Sequence, residues 1–213
     1  MLEFIHAYES DVQQEQYEYF VPLTSSTSHD LILNFFKVLT RYNLGVDVPS
    51  HMQEALNLMI AHEDNFIAPG GLIARENTFI LFPGCCCGLE AWREWGQLHQ
   101  GANSPWLGHD PDPWIDISNE IPILHNGNSA APKQLKTTYE DIKSAFEKSE
   151  KEFEAFTKNF KTYLQNQDFE KVDIFIRKFR NSFYVDTKAI QRGEEILSEA
   201  TAKLKTLGIK FPE

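Results

Sequence analysis

Basic residues are scarce over most of this chain. Of its 20 Lys and Arg only four, Lys37, Arg41, Arg75 and Arg93, precede Pro132, against 17 Asp and Glu in the same stretch. Residues 133–213 carry 16 basic and 14 acidic side chains, so the formal net charge of −11 is made of −13 before the linker and +2 after it. A surface that negative repels phosphates, which argues against nucleic-acid binding and suits a basic protein partner. No apolar run approaches the roughly 18 residues of a membrane span. The opening Met1-Leu-Glu-Phe-Ile-His has an acid where a signal peptide carries base, so the sequence is read as cytoplasmic. Cysteine is limited to Cys85, Cys86 and Cys87. Neighbouring Cα atoms lie about 3.8 Å apart, below the roughly 4.4 Å of an unstrained bridge, so reduced thiols are expected. Gly-x-Ser-x-Gly, a phosphate-binding glycine loop and His-Glu-x-x-His are all missing, which removes several large enzyme classes.

What is present is an ordinary globular composition of 42% hydrophobic and 24% charged residues, with 16 Phe. Phe4 to Tyr8 reads as a short strand. Leu31, Phe35, Val38, Leu39 and Tyr42 repeat at helical spacing from an Asp30 cap to a stop at Asn43 and Gly45, and a second helix follows a Ser50…Gln53 capping box with Met52, Ala55, Leu56, Met59 and Ile60 inward. Gly71–Arg75 and Thr78–Phe82 form a hairpin around Asn77, Gly88–Leu98 a short helix, and Trp114–Ile117 with Ile121–His125 another hairpin.

Residues 127–133 are a linker by composition, after which everything reads as helical: a Thr137…Glu140 capping box opens a run of Tyr139, Ile142, Phe146, Phe153, Phe156, Phe160 and Tyr163, then Phe169 to Phe183, then Ile190 to Leu207. The expectation is α+β, with N-terminal helices and a small antiparallel sheet over residues 1–132, followed by a C-terminal helical hairpin or three-helix segment over 133–213 that is able to self-associate.

All four tryptophans, all three cysteines and three of seven histidines fall between Cys85 and His125. Indoles bury much area with few rotors and so favour interface centres; they also fill cores. We take Trp92, Trp95, Trp106, His109, Asp110, Asp112 and Trp114 as the candidate binding face. The alternative is a thiol site of Cys85, Cys86, Cys87 and Arg93, since cysteines ahead of a helix N-terminus feel its positive end and Cys87-x5-Arg93 has a phosphatase-like spacing. Glu90 and Glu94 would repel the anion that such a site must hold. For a metal, at most two of the three contiguous thiols can point at one ion, with His99, His109 or His125 completing the set, and the usual Cys-x2-Cys is absent. Asp110, Asp112 and Asp116 superficially suggest a calcium loop, but Pro111 and Pro113 stiffen it and no glycine sits at the turn. No cofactor and no resident metal are therefore assigned, and a non-catalytic role is favoured.

Phe82-Pro-Gly-Cys-Cys-Cys-Gly-Leu-Glu-Ala-Trp-Arg-Glu-Trp and Ser104-Pro-Trp-Leu-Gly-His-Asp-Pro-Asp-Pro-Trp resemble segments of uncharacterised bacterial proteins grouped with SUKH-type immunity proteins. The resemblance covers about residues 65–127. It implies an α+β module, helices before a small antiparallel sheet, and a role in blocking a partner protein rather than in catalysis.

Overall fold

Alternation along the first strand sets the architecture. In the computed structural model, which describes residues 1–14, 18–45, 52–98, 103–118, 120–127 and 132–184, β1 is Glu3–Gln14. Phe4, His6, Tyr8 and Ser10 stand two apart, share one face and are all buried. β2 (Glu18–Pro22), β3 (Gly70–Glu76) and β4 (Phe79–Leu81) complete an antiparallel sheet of order β2-β1-β3-β4. The β3–β4 turn uses Asn77 at φ 52°, as expected of a residue that tolerates the left-handed region.

Helices cover the Phe4–His6–Tyr8 face. α1 (His29–Leu44) starts at Ser28, whose hydroxyl accepts from the Leu31 N–H, and stops at Gly45, φ 65°, whose N–H donates to the Arg41 carbonyl. Asp30 lies in its first turn instead of capping it. The buried stripe is Ile32, Phe35, Phe36, Leu39 and Thr40, which leaves Tyr42 exposed. α2 (Met52–Ala61) buries Ala55, Leu56 and Met59 as its spacing predicts; the capping box expected at Ser50 lies outside the described residues. A 3-10 turn, Leu89–Ala91, leads into α3 (Trp92–Leu98).

The C-terminal helices build the same core. α4 (Tyr139–Asn166) is capped by Thr138, one residue later than expected, with its hydroxyl accepting from the Asp141 N–H. Its Phe153, Phe156 and Phe160 face Phe175, Phe179 and Phe183 of α5 (Val172–Phe183) and the α1 rings. Phe35 meets Phe156, Phe160 and Phe179 edge-on at 5.5, 5.6 and 6.0 Å, and each such pair adds roughly 0.5–1.5 kcal/mol beyond area burial. From β1, His6 stacks on Phe153 at 4.4 Å and Tyr8 meets Phe35 at 5.1 Å. Met1–Phe183 is accordingly one compact unit, and the composition change at Pro132 falls inside it. The helix expected over Ile190–Leu207 lies outside the described residues.

A second antiparallel sheet, β5 (Trp114–Asp116), β6 (Ile123–His125) and β7 (Gln134–Lys136), contains the expected hairpin and one strand where only helix was expected. Gln134-Leu-Lys is too short to carry a pattern; it forms because Leu135 pairs with the buried Leu124 of β6. The fold is α+β with a C-terminal helical region. Among the described residues no helix is long and apolar enough to cross a membrane.

Candidate functional site

Two loops meet at one edge of the first sheet. The first runs from β4 through Phe82-Pro-Gly into a turn closed by the Cys87 N–H donating to the Gly84 carbonyl at 3.3 Å, with Cys86 at φ 65°. The second, Asn103–Pro113, precedes β5. Main-chain hydrogen bonds lace them together: Gly84 N–H to the Leu107 carbonyl at 2.6 Å, His109 N–H to the Cys85 carbonyl at 3.0 Å, and Cys85 N–H to the Asp110 carbonyl at 3.1 Å. So close an approach needs glycine on both sides. A Cβ on Gly84 would sit 2.5 Å from the His109 carbonyl oxygen, and one on Gly108, φ 86°, 2.5 Å from that of Gly84.

This lacing sorts the cysteines. The Sγ atoms of Cys85 and Cys86 lie 3.9 Å apart, both residues are exposed, and with one His109 ring nitrogen their ligand atoms all fall within 4.8 Å of one another. The Cys86 thiol is pushed up, first by its hydrogen bond to Cys85 and by that neighbour's charge, then by slight burial and by Asp110. Cys87 is buried instead, its Sγ 3.8 Å from the Trp106 carbonyl oxygen, beside the space that Gly71 leaves free. Burial first, then Glu90 and Glu94, pushes its thiol up to about 12, which opposes the thiolate that a helix N-terminus would favour.

Arg93 takes no part in a thiol site. Its Nη2 donates to the carbonyls of Ser182 and Asn181 and its Nε to that of Phe183, so the guanidinium caps the carbonyl end of α5. Burial lowers its pKa. The Cys87–Arg93 pairing of the alternative thiol site is thereby replaced by three hydrogen bonds that tie α3 to the end of α5.

The tryptophans divide as sharply. Trp92 is 0% and Trp95 2% exposed, which removes both from the expected binding face. Trp92 donates its indole N–H to the Phe183 carbonyl at 2.7 Å, stacks on Phe146 and turns its edge to His6; Trp95 packs on Phe4 at 4.6 Å. Trp106 and Trp114 are 48% and 47% exposed. They flank a recess of about 350 Å³ lined also by Glu94, Leu107, Asp112 and Pro113, with carboxylates and no Lys or Arg in its wall. Glu94 accepts the Trp106 main-chain N–H at 2.6 Å and so anchors that loop. His109 sets its ring against Trp106 at 4.8 Å, and His125 stacks on Trp114 at 3.7 Å with planes 4° apart. His109, Asp110 and Asp112 are exposed; of the three, Asp112 lines this recess and Asp110 lines the one beside Cys85.

Sequence reasoning left Glu94 and His125 out of the binding face and missed the pairing of glycines 84 and 108. A glycine in each of two loops is a visible sign of close approach, but nothing in one sequence says that those two approach each other. No family model, no curated protein and no solved structure matches the chain.

Proposed function

We propose that this is a bacterial, cytoplasmic, non-catalytic protein-binding module of the immunity type, docking a basic protein through the Trp106–Trp114 recess. One observation carries the reading: two half-exposed indoles stand on either side of a cleft whose charged groups, Glu94 and Asp112, are both acidic. Such a cleft suits an Arg or Lys side chain, held by the ring faces and the carboxylates together. The −13 charge of residues 1–132 would speed the encounter. The resemblance of residues 65–127 to SUKH-type proteins points the same way. The aromatic faces of α4 and α5 are buried within the unit, which leaves the loop face rather than those helices for docking.

A defined probe tests it. An oligo-arginine peptide titrated against the whole chain should bind saturably, weaken as salt rises, and lose at least about tenfold in affinity with Trp106→Ala, Trp114→Ala or Asp112→Asn. Oligo-glutamate should not bind. Affinity for oligo-arginine that is indifferent to both indoles would refute the recess as the docking point.

A further inference from the structure

We propose that Cys85, Cys86 and His109 form a surface site for a tetrahedral, thiolate-preferring cation of the Zn²⁺ class, with three protein ligands and a fourth position open to solvent or to a partner's side chain. The sulfur spacing carries the argument. Two thiolates at about 2.3 Å from a tetrahedral zinc stand about 3.8 Å apart, whereas a linear two-coordinate ion at the same bond length would need about 4.6 Å. The observed separation is 3.9 Å.

Adjacent cysteines rarely chelate, because in an extended chain neighbouring side chains point to opposite faces. Here Cys86 takes φ 65°, and the left-handed turn brings both sulfurs to one side. Cys87 is thereby directed inward and excluded. The third ligand is placed by main chain rather than by side-chain chance, since His109 N–H bonds the Cys85 carbonyl and the Cys85 N–H bonds the Asp110 carbonyl. The two sulfurs are therefore spaced for an ion before it arrives, while the His109 ring nitrogen, within 4.8 Å of them and with its ring against Trp106, closes in to the roughly 3.6 Å that tetrahedral S and N ligands keep.

Two further features favour a cation. Asp110 is exposed in the same recess wall as Cys85 and adds negative charge beside the ligands. A recess of about 380 Å³, lined by Cys85, Asp110, Asn126 and Lys133 among others, opens beside Cys85 and leaves room for a fourth ligand on that side. Binding would displace the thiol protons to solvent as both sulfurs become thiolates, so uptake should strengthen as pH rises.

Co²⁺ is the probe, because sulfur-to-cobalt charge-transfer bands and visible d–d bands report thiolate ligation and tetrahedral geometry directly. The reduced, metal-free full chain should take up one equivalent, release it to Zn²⁺, and have Cys85 and Cys86 protected from alkylation when Zn²⁺ is bound. Cys85→Ser and Cys86→Ser should each abolish the thiolate bands, His109→Ala should weaken uptake by about tenfold or more, and Cys87→Ser should leave it unchanged. Exposed positions 85, 86 and 109 should tolerate these changes, and far-ultraviolet circular dichroism of each variant checks that they do. Absence of stoichiometric uptake, or uptake indifferent to Cys85, Cys86 or His109 in folded variants, overturns the site.

Discussion

Trp92 and Trp95 share a side chain with Trp106 and Trp114, and the two pairs end in opposite places. The first pair sits three apart on a short helix that lies on the sheet, so both rings point inward, onto Phe4, His6 and Phe146. The second pair flanks a proline- and glycine-bearing loop whose main chain is tied down at Gly84, Cys85 and Glu94, so its backbone is fixed while its rings stay half in water. The lesson is that a rigid loop can afford exposed indoles, because its order comes from main-chain hydrogen bonds rather than from burying them.

That contrast breaks most visibly at Trp92. Replacing it by Ala removes a fully buried ring and the hydrogen bond to Phe183, and should lower unfolding free energy by about 3–5 kcal/mol in urea titrations. Trp114→Ala should stay within about 0.5 kcal/mol of the parent while weakening oligo-arginine binding. Equal losses for the two would erase the distinction between a core pair and a surface pair.

The lacing of the loops is the next place to press. Gly108→Ala puts a methyl 2.5 Å from one carbonyl oxygen and 2.6 Å from another, on a left-handed backbone. It should cost about 1–3 kcal/mol and abolish Co²⁺ uptake. Gly45→Ala, also left-handed but with nothing within 4 Å, should cost only about 1 kcal/mol and leave uptake alone.

A smaller effect comes from the core side. His6 is buried against Phe153 and Trp92, and burial, opposed by the Ser149 main chain, lowers its pKa to about 3. In the unfolded chain it protonates near 6.5. Between those values the unfolded state binds more protons, so stability falls as pH falls, by about 1–2 kcal/mol from pH 6.5 to 5. In His6→Phe that share of the acid dependence should vanish; an unchanged slope would show that His6 is not the group responsible.

These outcomes also mark what the sequence makes legible. The Asn77 hairpin, the Gly45 stop and the α5 stripe through Phe175, Phe179 and Phe183 are local, and each is written in a few adjacent residues. The length of β1 is masked by His6 and Ser10, polar residues placed on its buried face. Which tryptophans lie inside depends on how α3 and α4 pack, and the handedness of Cys86 depends on two loops meeting; neither is encoded within one segment. The composition shift at Pro132 reflects a surface rich in Lys and Glu on α4, whose other face joins β1 in one core.

The most direct test is to follow the four indole N–H signals by nuclear magnetic resonance, first during exchange into deuterated water and then during addition of oligo-arginine. The account predicts that the N–H groups of Trp92 and Trp95 are protected from exchange and keep their shifts, while those of Trp106 and Trp114 exchange at once and move with the peptide. Protection of all four, or peptide-induced shifts confined to Trp92 and Trp95, would contradict it.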